Sequence, residues 1–188
     1  MESNELASLL CLHSLDGIGN RTIWKIKSNF GSFQNCLDAT SQDLQASFLN
    51  TQIASRILQA QKETDRQRLL QEYLSTGANV SCIEDDDYPL WLGKTHDPPY
   101  LLYYRGDLTS LNEICIAIVG SRRASTYGKT QSKNFARELS RKGITVVSGM
   151  ARGIDTEAHR GALEAGGKTA AVLGSGIDVI YPPENKQL

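Results

Sequence analysis

The chain has 188 residues, 40% hydrophobic and 22% charged, with a formal net charge of −1. That is enough chain to pack the core of one medium domain, or of a small one plus a medium one, and the protein reads as globular. No apolar run reaches membrane-spanning length and no basic-then-apolar leader opens Met1-Glu2-Ser3-Asn4-Glu5, so a cytoplasmic protein without a membrane span is expected.

Leu6, Leu9, Leu10 and His13 recur at helical spacing until Asp16-Gly17-Ile18-Gly19-Asn20 breaks the pattern, and a short helix over Thr22 to Phe30 ends at Gly31. Helix, Gly-Ile-Gly turn, helix has the shape of a SAM- or helix-hairpin-helix-like unit. The backbone amides of such a turn can sit on a DNA phosphate. Asp16 and the negative N-terminal segment favour a packing or partner role instead. Thr40-Ser41-Gln42-Asp43 predicts a capped helix start, and the apolar positions from Ile53 to Leu74 predict one long helix closed by Gly77. Residues 1–78 are therefore expected to form an all-helical domain. Val80 to Ile83 reads as a strand, and Glu84 to Asp87 as a solvated acidic turn, since four consecutive carboxylates cannot converge on one ion. Cys11, Cys36, Cys82 and Cys115 lie far apart with no C-x-x-C, and read as reduced small hydrophobes; no metal site and no cofactor are expected.

From Ile114 the pattern becomes strand, helix, strand, helix, strand: Ile114 to Val119, Thr126 to Lys142, Ile144 to Val147, Asp155 to Ala165, Thr169 to Leu173. Near-continuous apolar strands separated by such helices predict an α/β fold over 79–188, a Rossmann-like parallel sheet with flanking helices. Each strand runs into a glycine-rich turn. Carboxyl ends of parallel strands converge on one crevice, where glycines let a phosphate approach backbone N–H groups. Gly120-Ser121-Arg122-Arg123 adds two guanidinium forks. Neither G-x-G-x-x-G nor G-x-x-x-x-G-K-[ST] is present, and no nucleophile elbow or spaced Ser-His-Asp set emerges. Residues 114–168 hold 10 of the 20 basic residues and only 4 of the 21 acidic ones, a local basic field in a near-neutral chain. Lys129, Lys133, Arg137 and Arg141 recur every four residues and serve equally as a solvated helix face. Asp155 is placed to N-cap the second helix, and His159 lies on the same helical face as a packed or hydrogen-bonded residue.

Ile118-Val119-Gly120-Ser121-Arg122, Tyr127-Gly128, Ser148-Gly149-Met150-Ala151, Gly153-Ile154-Asp155, Ala158-His159, Gly161-Ala162-Leu163, Tyr181-Pro182 and Asn185 together resemble the nucleotide-fold domain of the DNA-processing protein A (DprA/Smf) family. Asp87-Tyr88-Pro89 and Asp97-Pro98-Pro99 match the family's approach to the first central strand, and the N-terminal stretch resembles its helical domain more weakly. The resemblance implies single-stranded DNA binding during DNA uptake and recombination, with RecA recombinase as a partner, a homodimer in the full-length protein, and no known turnover. It carries phosphate contact onto Gly120, Ser121, Arg122, Ser148, Gly149, Gly153 and Gly176, with Tyr181 and Asn185 at the crevice wall. Arg123 joins them on charge and position, and Tyr127 and Tyr181 are the nearest aromatic platforms for bases. The family's sheet continues beyond the equivalent of Leu188, so the sequence reads as a fragment whose own DNA and RecA binding is weaker. Pro183 stands where relatives often carry a basic residue. Two alternatives stay open: a nucleoside monophosphate glycosidase-like enzyme, whose P-G-G-x-G-T-x-x-E segment is missing here, and a nucleotide sensor.

Overall fold

The computed structural model describes all residues, 1–188. The chain divides into two compact units, one made of Met1–Asp86 and His96–Tyr103, the other of Asp87–Thr95 and Tyr104–Leu188. No helix is long and apolar enough to cross a membrane.

The first unit contains helices α1 (Ser3–His13), α2 (Asn20–Phe30), α3 (Phe33–Asp38), α4 (Ser41–Ala46), α5 (Thr51–Glu63) and α6 (Arg66–Ser75). The capping box expected at Thr40 forms: its hydroxyl accepts from the Asp43 N–H while the Asp43 carboxylate accepts from the Thr40 N–H. The long helix expected up to Gly77 is instead two, α5 and α6. Thr64 is extended, and the Asp65 carboxylate accepts from the N–H groups of Gln67 and Arg68, so a new N-cap outcompetes continuation.

Strand β1 (Asn79–Cys82) pairs with β2 (Leu101–Tyr104) in a two-stranded sheet. The expected boundary at 78/79 differs from this one, because β1 belongs with the helices: Cys82, Tyr100 and Leu101 are buried in the same core as Leu9, Ile23, Phe33 and Ile57. Tyr100 meets Trp24 and Phe33 edge-on, and its hydroxyl donates to Glu84 at 2.8 Å. Asp85 accepts from the Cys82 N–H and from the terminal amine of Met1, and Asp87 accepts from the Tyr104 hydroxyl at 2.9 Å, so three of the four acidic-turn carboxylates serve as internal ties. Burial pushes the Cys36 and Cys82 thiols up to about 12, which keeps them protonated and inert.

The second unit has a short helix α7 (Leu90–Gly93), then β3 (Cys115–Ala117), α8 (Thr126–Arg141), β4 (Thr145–Ser148), α9 (Ile154–Glu164) and β5 (Thr169–Ala171). The three strands pair in parallel in the order β3-β4-β5, with Ile116 opposite Val146 and Val146 opposite Thr169. Adding each strand in the same direction with right-handed crossovers puts both helices on one face. Ala136 of α8 and Ala158 and Ala162 of α9 accordingly pack with Val146 and Ile118. Small residues let the helices come close: a Cβ on Gly161 would lie 2.2 Å from the Lys133 carbonyl oxygen. On the other face Val119 and Val172 stay 72% and 67% exposed.

Candidate nucleic-acid interface

Because the strands are parallel and in sequence order, the turns after β3, β4 and β5 share one edge of the sheet, with the second turn in the middle. The first and second turns touch. The Ile154 N–H donates to the Ser121 carbonyl at 3.3 Å, and a Cβ on Gly153 would fall 2.3 Å from that same oxygen. Gly153 also has φ 81°, a conformation that a side chain strains. Gly120 is a glycine for a related reason, since its Cβ would meet the Ile154 side chain at 2.7 Å. These two glycines serve close packing of turn on turn, where the sequence reading had them admit a phosphate.

The second turn spends its donors inside the protein. Asp155 lies inside α9, whose N-cap is Gly153, and its carboxylate does not cap that helix. It reaches back to accept from the Gly149 N–H at 3.1 Å. The expected N-cap is thus corrected by a tighter local bond, and the Gly149 amide expected to meet phosphate already holds a carboxylate of its own chain. Ile154 N–H is taken by Ser121 and Thr156 N–H by the Ala151 carbonyl, which leaves little of this helix start for an anion. Ser148 is buried and its hydroxyl donates to the Ile118 carbonyl at 2.6 Å. Asn185 is likewise internal: its amide donates to the Met150 carbonyl at 2.9 Å and to the Thr156 hydroxyl at 2.8 Å. That bond supports Met150, whose φ of 58° is the one positive value at a non-glycine residue. Ser148 and Asn185, expected at the crevice, build it rather than line it.

His159 is buried against β5. The Thr169 hydroxyl donates its only proton to the Val146 carbonyl at 2.7 Å, so His159 Nδ1, 2.7 Å away, is the donor in that pair. Its Nε2 is then a bare acceptor, buried without a partner. Burial lowers the imidazole pKa despite the opposing pull of Asp155, which holds the ring neutral.

The first turn is different. Gly120, Ser121, Arg122 and Arg123 are all exposed; the Ser121 hydroxyl accepts from the Arg123 N–H at 3.0 Å, and neither guanidinium has an ion pair. Ser125 caps α8 by accepting from the Gly128 N–H; the N–H groups of Thr126 and Tyr127, at the first two positions of the helix, have no partner within it, and Tyr127 is 75% exposed. Elsewhere in the basic stretch, Lys133, Arg137, Arg141, Arg152, Arg160 and Lys168 each have a carboxylate partner. The unpaired cations are Arg122, Arg123, Lys129 and Lys142, three of which surround the start of α8. In the third turn, Gly176 is exposed beside Asp178, and Tyr181 lies under the Arg152 guanidinium at 5.9 Å. Sequence reasoning missed the Arg152 to Glu184 pair, because a separation of 32 positions carries no local signal of it.

The family profile described as DNA recombination-mediator protein A matches residues 79–188. DNA processing protein DprA of Bacillus subtilis is 41% identical over 122 residues, covering 64% of this chain and 41% of that protein. Protein Smf of Synechocystis is 31% identical over 193 residues, covering 100% of this chain and 48% of its own length. The X-ray structure of DNA processing protein A from Streptococcus pneumoniae superposes on all of this chain and 62% of that one, with a TM-score of 0.77 and 31% identity. The chain spans about half the length of the curated relatives it matches. The profile match spans the whole sheet and more than half of the chain, and it places this chain in the DNA recombination-mediator protein A family.

Proposed function

We propose that this chain binds single-stranded DNA through its phosphates, without regard to sequence, at the first turn and the start of α8. In this reading Arg122, Arg123 and Lys129 supply charge, the open N–H groups of Thr126 and Tyr127 supply a backbone cradle, and the Tyr127 ring offers a face for a base. Gly176 and Tyr181 of the third turn form the far side of the track. The observation that carries the reading is the contrast in pairing: six basic residues of the stretch lie within ion-pair distance of a carboxylate, Arg137 and Arg141 sharing Glu138, and three of the four free ones lie at one helix start. Membership of a family whose relatives are named DNA processing proteins supports it. The wider form of the proposal is a cytoplasmic protein that acts by binding rather than turnover, coats strands entering recombination as a homodimer, and helps load RecA.

Fluorescence anisotropy of a labelled oligothymidylate, repeated over a series of salt concentrations, tests it. Arg122→Ala should weaken binding about tenfold, the equivalent of about 1.4 kcal/mol, and flatten the slope of log K against log salt by about 0.7 for the one lost contact. An unchanged affinity and slope would remove the first turn from the interface. Tighter binding of mononucleotides than of the strand would favour a nucleotide sensor, and release of base from them a glycosidase.

A further inference from the structure

Arg152 leaves the second turn beside Arg122, since a Cβ on the next residue, Gly153, would lie 2.9 Å from the Arg122 carbonyl oxygen. The two arginines differ in what they hold. Arg122 is free, whereas Arg152 grips Glu184 through Nε and Nη2, the Nη2 contact at 3.1 Å, with the Tyr181 ring against its guanidinium. Glu184 is delivered there by a short segment whose next residue, Asn185, is pinned to Met150 and Thr156. Arg152 and Glu184 are themselves 51% and 53% exposed, so water reaches the pair and screens it. The anchor is buried and the ion pair is not.

A carboxylate and a phosphate offer the same two oxygens to a guanidinium fork. We propose that Glu184 is an internal stand-in for a strand phosphate, so that Arg152 is a further phosphate contact, released when Glu184 swings off about its fixed neighbour Asn185. This rests on the single-stranded DNA reading above. A phosphodiester arriving at Arg122 meets Glu184 as a like charge a turn away, and displacing it joins a second arginine to the first without moving the backbone. Tyr181 keeps the freed guanidinium oriented, and Glu184 thereby sets how many phosphates the site takes.

Binding of labelled oligothymidylate to the whole chain and to its Glu184→Gln, Arg152→Ala and doubly substituted forms, across a salt series, tests this. Glu184→Gln keeps shape and loses charge; it should bind three- to tenfold tighter because no ion pair has to be broken, and steepen the salt slope by about 0.7, since no freed carboxylate draws a counterion back when Arg152 turns to the phosphate. Adding Arg152→Ala should abolish both gains. A Glu184→Gln form that binds no tighter, or a gain that survives Arg152→Ala, overturns the proposal, the second outcome meaning general charge. Side-chain NMR of the unsubstituted chain gives an independent readout: the Arg152 Nε–H resonance should shift as oligothymidylate is added, and a static resonance at saturation also overturns it. Wild-type binding that falls with Arg122→Ala while Glu184→Gln is neutral sinks this proposal alone; no wild-type binding at all sinks both.

Discussion

Gly153 combines two constraints in one residue, a φ of 81° and a space closed by the Ser121 carbonyl oxygen. Gly153→Ala should therefore cost about 2 kcal/mol or more in urea unfolding, since backbone must move as well as strain. Gly174 is the control: it has open space around it and no positive φ, and Gly174→Ala should stay within about 1 kcal/mol of wild type. His159 makes a prediction about pH. Its folded pKa lies below the ordinary 6.5, so below that value the unfolded chain takes up a proton that the folded one refuses. Stability from this group is fully present above about pH 6.5 and is lost as pH falls towards the depressed folded value. His159→Asn, which keeps a donor near Nδ1 for Thr169, should reduce the slope of stability against pH below 6.5 in urea midpoints taken from pH 7.5 to 5. Part of the slope should remain, because burial lowers the pKa of His13 in the same direction.

Among the elements, the break between α5 and α6 shows a cap deciding against a periodic pattern. Leu58, Leu69 and Tyr73 keep helical spacing across it and all pack on the same core, so periodicity alone reads through. Asp65 satisfies two N–H groups at once, at 3.1 and 3.0 Å, and starts the helix afresh. Asp65→Ala should cost about 1 kcal/mol, read as a lower urea midpoint. A substitution without effect would mean that the core contacts of Leu69 and Leu70, rather than the cap, place the break. The same competition between local and distant partners governs the crevice. Asp155 has an N-cap's composition and position in the sequence, yet the Gly149 amide six residues back is the better-placed donor.

Across the second unit, both helices cover one side of the sheet and the core they enclose is thin: Ala136, Val146, Ala158 and Ala162 are its buried apolar residues. Val119 and Val172 face outwards on the opposite side, and Ala117 of β3 is exposed as well. Such a surface takes up apolar dye. The chain should bind a hydrophobic fluorophore in its folded state, and Val119→Ser with Val172→Ser should remove most of the signal. Folded stability should change by less than about 1 kcal/mol, since residues this exposed have little burial to lose. Undiminished dye binding would locate the exposed apolar surface elsewhere, as at Leu90 and Trp91.

The alternation of apolar runs, helical spacing and glycine punctuation was sufficient to specify α8 and α9 of the second unit, the parallel strands and the three turns, because those features depend on residues close together in the chain, though not the break between α5 and α6. The concentration of positive charge in residues 114–168 was equally legible. Which of those cations are free was not, because pairing is set by where α8, α9 and the segment around Glu184 meet. Nor could spacing say that Gly120 and Gly153 pack against one another's turns, that Gly149 is already bonded, or that Ser148 and Asn185 point inwards. A glycine that admits a phosphate and one that admits a neighbouring carbonyl look alike in sequence. Only the packed sheet distinguishes them, by filling the space beside one and leaving the other open.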